Sequence, residues 1–449
     1  MKTSRIFFFV VFVYVLLAAL YAAYTPKWQA PDEPAHFNYI RAIGDTGALP
    51  VLQKGDYDQN YLEQIKAAKF PASMSIDAIR YESYQPPLYY LAATPIYLAA
   101  RAGGIDAQVL ALRLFGVALG AILLLVAYAI VREIFPDDAL LALATVGAIA
   151  TVPMFIAVSA SVSNDIAAVL VLALILWLAV RRVKNTVSDK HFVILGGILF
   201  GAALLTKTTA YVPGVLLLVG ADVASGGCAN YAQSWRVTWK HNLQSLVSLF
   251  ALALLISAPM FVRNMLTYGI TDPLGLARHN SVVVGQPTTA EMIAKYGVGH
   301  ILFDYLAVTF KSFWAQFGWM GVLVNDRIYV MLFLLCAAAL LGFTFHVLRI
   351  LRRRDLLTTA QWWSMGLLAV TVLVAVVDYI GYNFEFFQLQ GRYLFPGIIP
   401  IALFGVIGLR EVLAREYHRI VFALLYLALL ALDVASLFLF IVPQLRIVN

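Results

Sequence analysis

The sequence predicts an all-α integral membrane protein with about 11 transmembrane helices and with juxtamembrane helices in two long extracytoplasmic loops. Three observations carry that prediction. Of the 449 residues, 62% are hydrophobic, against roughly 45–50% in an average soluble domain. The excess is gathered in blocks close to the ~20 residues that cross a bilayer. Basic clusters at 181–190, 236–241, 349–354 and 410–419 begin or end those blocks, as cytoplasmic flanks do.

The first apolar run, Ile6 to Tyr24, follows Lys2 and Arg5 as a signal peptide would. It is longer than a typical signal core and leads into Thr25-Pro26-Lys27-Trp28, not a small-residue cleavage site, so it reads as an uncleaved first span. With the basic clusters inside, further spans fall near 113–131, 139–158, 165–183, 192–206, 208–223 and 243–262, then 328–348, 362–381, 394–410 and 420–442. The N-terminus is then inside and the C-terminus outside. The apolar stretch from Pro86 to Ala100 is short and carries Pro86, Pro87 and Pro95. If it crossed, either Lys2 and Arg5 or the 181–190 cluster would move outside, so it is expected along the membrane surface, with a twelfth, Pro-kinked span as the alternative. Residues 1–449 thus form a single polytopic domain, with a first external loop at 25–112 and a second at 263–327. The aromatic stretch 301–321 in the second loop suits the headgroup boundary.

The formal charge of +7 does not indicate nucleic acid. Arg181-Arg182 and Arg352-Arg353-Arg354 sit at span ends and form no phosphate-tracking stripe. Cys228 and Cys336 are far apart, one in a predicted cytoplasmic loop and one inside a span, so neither a disulfide nor a metal pair is expected. Walker, His-Glu-x-x-His and Gly-x-Ser-x-Gly motifs are missing. No internal repeat or inverted hydropathy symmetry of the transporter kind is evident.

Candidate chemistry lies on the external side. In Pro31-Asp32-Glu33-Pro34-Ala35-His36-Phe37-Asn38-Tyr39, Pro34 suits the first turn of a helix, making Asp32 or Glu33 its N-cap. That helix would bring a carboxylate, His36 and Tyr39 to one membrane-facing end; read alone, the segment is a capped surface helix. Asp165, in Ser163-Asn164-Asp165, either caps the next span or is a carboxylate held at membrane level for function. Lys207, Arg263-Asn264 and Arg392 are cations on the same side, each alone readable as a snorkelling residue. Asp378 and Glu385 are alternative partners for Arg392. Together such cations and carboxylates supply what a departing phosphate needs. His36 follows Asp32 by four residues, so a divalent metal could be held there, but the other histidines are scattered and a metal is not indicated.

The ordered set comprises Pro-Asp-Glu-Pro-Ala-His-Phe at 31–37, Tyr84-Gln85-Pro86-Pro87-Leu88-Tyr89-Tyr90, Asp165, Lys207, Arg263-Asn264 and Gln390-Gly391-Arg392-Tyr393-Leu394-Phe395-Pro396. It resembles the GT-C class of polytopic glycosyltransferases, and within it a bacterial branch related to protein O-mannosyltransferases and the lipid A aminoarabinose transferase. The resemblance implies sugar transfer from a polyprenyl-phosphate donor to a glycan, lipid or protein acceptor at the outer face of the bacterial cytoplasmic membrane, with no cofactor required. It implies Asp32 as general base and Asp165 as the second acid of the site; Glu33, next to Asp32, is read as supporting it or as the base in its place. Substrate-binding residues would be His36, Tyr39, Gln85, Tyr89, Lys207, Arg263, Asn264, Arg392 and Tyr393. One departure stands out: the aminoarabinose transferase carries a Lys before its Pro-Pro pair, where this chain has Gln85. An oligosaccharide ligase or polymerase, or a membrane transporter, is the alternative; a transporter predicts charges within broken spans.

Overall fold

The computed structural model describes residues 2–228 and 235–447, with side chains for 4–225 and 243–447. The chain runs through α1 (Lys2–Tyr24), α2 (Glu33–Thr46), α3 (Gln59–Ala67), α4 (Leu88–Ala99) and α5 (Gly104–Ile134). A pair bent by 69°, α6 (Ala139–Ala150) and α7 (Pro153–Ser159), precedes α8 (Asp165–Val183), α9 (Asp189–Leu204), α10 (Tyr211–Cys228) and α11 (Trp235–Tyr268). Three shorter helices follow: α12 (Leu276–Val282), α13 (Thr289–Tyr296) and α14 (Val298–Trp314). The chain then returns through α15 (Asp326–Arg352), α16 (Thr359–Glu385), α17 (Ile398–Val412) and α18 (His418–Ala435).

Among the described residues, nine helices are long and apolar enough to cross a membrane, or ten if the bent pair is one span. Each predicted span overlaps a helix or, for 139–158, the bent pair. However, α9, at the predicted span 192–206, has 16 residues and is not among the helices long enough to cross, so the described residues hold nine or ten spans where 11 were expected. Thr151 interrupts α6, and Pro153 begins α7 at a position where its missing N–H costs nothing. The predicted loop boundaries shift. α5 starts at Gly104, inside the stretch expected to be loop, and α11 continues to Tyr268. The side chains of Cys228 and of the 236–241 cluster lie outside the described residues. Cys336 lies within α15 as a free thiol.

α4 has 12 residues, about 18 Å at 1.5 Å per residue, too short for a hydrocarbon core of ~30 Å. It packs on α2 and α5 instead, burying Tyr89, Tyr90 and Tyr97. Together with α2 and α3 it builds a small second core. α14 buries Ile301 and Ser312 and exposes Leu302, Phe303 and Leu306, an outward apolar face. Gly318 and Gly321 lie in a two-stranded hairpin, Gln316–Phe317 with Val322–Leu323, a minor departure from the all-helical expectation.

The two ends of the bundle differ. At one end the basic termini pair with acids on neighbouring helices: Arg182 with Asp222 at 2.8 Å, Lys184 with Glu133 at 2.7 Å and Arg410 with Asp138 at 2.6 Å. At the other end sit α2–α4, α12–α14 and the starts of α8 and α17. Between α15 and α17, a Cβ on Gly342 would stand 2.0 Å from the Gly408 carbonyl oxygen, a close approach that small residues allow in a bilayer.

Candidate active site

Asp32 occupies the N-cap position of α2 with φ 66° and ψ −6°, and its side chain caps nothing. An N-cap ordinarily has extended backbone and bonds its own helix. Left-handed backbone is costly for a residue with a Cβ, although Asp and Asn tolerate it best. Here it turns the carboxylate away from α2 and toward the start of α17. Oδ1 accepts from the Tyr81 hydroxyl at 2.8 Å, and Oδ2 accepts from Arg392.

Arg392 is set by its neighbour Gly391. The Gly391 N–H donates to Ser312 Oγ at 2.7 Å, and a Cβ there would stand 2.3 Å from the Phe313 nitrogen. The guanidinium is buried, lies over the Tyr393 ring at 5.5 Å, and reaches Asp165 Oδ2 at 3.5 Å as well as Asp32. Neither Asp378 nor Glu385 pairs with it. Its Nε is a buried donor with no partner. Lys207, on the extended link after α9, pairs with Asp165 and donates to Asn164 Oδ1 at 3.0 Å. Asn164 in turn donates to Gln85 Oε1 at 3.4 Å, while the Leu88 N–H donates to the Leu205 carbonyl at 2.8 Å. Those two bonds fasten the start of α4 beside Lys207.

Asp32, Asp165, Lys207 and Arg392 therefore meet in one partly open cluster, with Asp32 26% exposed and Arg392 only 4%. Burial pushes the Asp32 carboxyl up, but Arg392 outweighs it and holds the group below the usual carboxylate range. Glu82, two residues before Tyr84, behaves oppositely. Burial pushes its carboxyl above the ordinary glutamate range, and its Oε2 is buried without a partner. Among the described residues no three His, Cys, Asp or Glu side chains are grouped to hold a metal ion.

Residues 90–261 match the model of the dolichyl-phosphate-mannose-protein mannosyltransferase family. In three dimensions the chain is similar to ArnT from Cupriavidus metallidurans, solved bound to undecaprenyl phosphate, with a TM-score of 0.54 and 14% identity over 98% of this chain and 73% of that one. The fold is that of the GT-C class of membrane glycosyltransferases. Two structures of the Archaeoglobus fulgidus oligosaccharyltransferase are more distant. One, with Zn and sulfate, gives 0.49 and 14% identity, covering 96% of this chain and 53% of that one. The other, AglB with an inhibitory peptide and a dolichol-phosphate, gives 0.47 and 13%, covering 97% and 55%. No curated protein matches the chain in sequence.

Within this GT-C fold the other candidates sit apart from the cluster. Glu33, adjacent to Asp32, points the opposite way and is fully buried. Its Oε1 accepts from Arg113 Nε at 2.8 Å and the Val162 N–H at 3.2 Å; Oε2 accepts from Arg113 Nη2 at 2.7 Å and the Trp28 N–H at 2.8 Å. With four donors already bonded, it has no free edge for a substrate. His36 and Tyr39 are buried in the wall behind the cluster. His36 Nδ1 meets the Tyr90 hydroxyl at 2.8 Å, and Tyr39 donates to the Gln85 carbonyl at 3.1 Å. Burial holds the His36 imidazole below its ordinary pKa, hence neutral at pH 7. Tyr89 is buried against Phe115. Arg263 bonds the carbonyls of Leu49 and Pro50, and Asn264 bonds that of Pro273. Both pin loop backbone. Tyr81, Glu82, Arg113 and Asn164 were not singled out from sequence. The local signal for them is confined to Glu82 and Asn164, polar residues beside the Tyr84–Tyr90 and Asp165 motifs.

Proposed function

We propose that this GT-C chain moves a sugar from a polyprenyl-phosphate donor to an acceptor at the extracytoplasmic face of the bacterial cytoplasmic membrane, with its N-terminus inside. The observation that carries the reading is Arg392 held between Asp32 and Asp165 with its Nε donor unpaired. A phosphate oxygen can take that donor, and Lys207 lies across Asp165 as the second cation. The undecaprenyl phosphate bound to ArnT supports the donor class. An apolar cavity of about 370 Å³, bounded by Phe313, Val372, Ile398 and Tyr426, offers room for an isoprenoid tail; Phe313 also lies against Gly391.

In this mechanism Asp32 is the general base. Its depressed pKa makes it a poor base while Arg392 is fully engaged with it. Phosphate competes for the guanidinium, and Asp32 then gains basicity as the donor binds. Asp32 removes the acceptor hydroxyl proton as the oxygen attacks C1 of the sugar. The C1–O bond to phosphate breaks, and its electron pair leaves with the phosphate, stabilised by Arg392 and Lys207. One displacement inverts the anomeric centre. Asp165 orients both cations, Glu33 braces the loop that carries Asp32, and neither a metal nor an organic cofactor is required.

The test compares surface glycans and lipid-linked sugars, by mass spectrometry, in cells with and without the chain. Loss of one glycan decoration with build-up of a polyprenyl-phosphate sugar is the expected result. Uptake of substrate into sealed proteoliposomes without any glycosylated product would overturn it in favour of transport.

A further inference from the structure

A cavity of about 960 Å³ lies between the end of α1, the start of α5 and residues 69–77. Its floor is apolar, formed by Ala22, Val109, Leu110, Leu445 and Ile447, where the spanning helices end. Its rim is basic. Lys27 pairs with Asp106 and Arg41 with Asp77, but Lys69 and Arg446 have no acidic partner among the described residues.

The backbone around this cavity is strained. Trp28, Lys69 and Phe70 have φ of 68°, 60° and 55°, three left-handed non-glycine residues on one wall. Such conformations persist where surrounding structure imposes them, and they gather at ligand sites. The wall is tied across the two long connections: Phe70 stacks on Trp319 at 6.0 Å, and Trp319 Nε1 donates to the Trp28 carbonyl at 2.8 Å.

A narrow void lies between the cavity and the cluster. Thr25, Arg113 and Leu445 line both the cavity and this void of about 30 Å³, which Pro31 and Arg392 also line. Arg392 likewise lines a void of about 20 Å³ holding Asp165 and Lys207. The guanidinium thus borders both the narrow void next to the large cavity and the void beside Lys207.

We infer that the large cavity is the acceptor site and that it takes an amphiphile with a phosphate headgroup. The apolar floor holds the hydrocarbon at the level where the spans end, Lys69 and Arg446 hold the phosphate, and the acceptor hydroxyl reaches Asp32 past Pro31. This assignment rests on the transferase reading for the word acceptor, but its test is a binding measurement that needs no turnover.

The full chain in nanodiscs is titrated with dihexanoyl phosphatidic acid, dihexanoyl phosphatidylcholine, inorganic phosphate and undecaprenyl phosphate. The comparison variant is Lys69→Gly with Arg446→Gln; glycine suits the left-handed backbone at 69, so Tm should hold or rise. We expect the variant to bind phosphatidic acid at least about tenfold more weakly, the loss of charge-assisted phosphate contacts, while undecaprenyl phosphate binds within about twofold of wild type. Equal affinity in both chains overturns the site. Inorganic phosphate binding as tightly as phosphatidic acid overturns the amphiphile and leaves a free anion as the ligand. A parallel loss of undecaprenyl phosphate binding assigns the cations to the donor and overturns the acceptor role. A chain that binds phosphatidic acid through Lys69 and Arg446, yet never releases undecaprenyl phosphate from a sugar donor, keeps the site and removes the transferase reading instead.

Discussion

Two neighbouring carboxylates lead to two different charge clusters. Glu33 and Arg113 form a closed clamp, 0% and 3% exposed, in which every Glu33 lone-pair edge has a donor and Arg113 also bonds the carbonyls of Ala22, Thr25 and Pro26. Asp32, Asp165, Lys207 and Arg392 form an open one, partly exposed, with one guanidinium donor unused. Burial alone does not separate structure from function. Completeness of hydrogen bonding does: a finished buried network fixes the fold, and an unfinished one has capacity left for a ligand.

The contrast can be broken most forcefully at the clamp. Arg113→Ala leaves the Glu33 carboxylate buried and unpaired, which costs about 3–5 kcal/mol. A large fall in Tm in detergent is expected, and a Tm close to wild type would show that the clamp is not what holds the loop. On the open side, Lys207→Met removes a charge-assisted contact of roughly 1.5–3 kcal/mol. Donor binding should weaken by one to two orders of magnitude with little change in Tm; unchanged donor affinity would place the phosphate elsewhere.

The smallest effect concerns Glu82. Its folded pKa stands above the ordinary value because burial disfavours the charge, so its contribution to stability is present below about pH 4 and lost as pH rises through the shifted pKa. Glu82→Gln has no such loss. The variant should melt higher than wild type at pH 7 and match it near pH 4, by thermal scans at both values. A gain independent of pH would mean that the carboxyl is not penalised by burial.

The bundle was legible in the sequence because crossing a bilayer demands long apolar blocks and leaves basic residues at their ends. Hydropathy could not see the first turns of α5, since Gly104-Ile105-Asp106-Ala107-Gln108 continues the helix into polar surroundings. Four residues of the open cluster were also legible, as charges in otherwise apolar company. Their partners were not. Arg392 meets Asp32 across 360 positions and Lys207 meets Asn164 across 43, pairings that only the fold creates. The sequence offers Asp32 or Glu33 as the helix cap; Asp32 takes that position, but its left-handed backbone, which aims the carboxylate at Arg392, leaves no mark in the sequence pattern.

The most direct measurement is turnover of a polyprenyl-phosphate sugar by Asp32→Asn beside wild type, with donor affinity and Tm recorded on the same samples. Asparagine keeps the shape and tolerates the backbone angle of residue 32, so the base and its charge are removed while Arg392 keeps Asp165 as its partner. A fall of about 10²–10⁴-fold in turnover, with donor still bound and Tm nearly unchanged, is the predicted result. Turnover at the wild-type rate would contradict the assignment of Asp32 as the base.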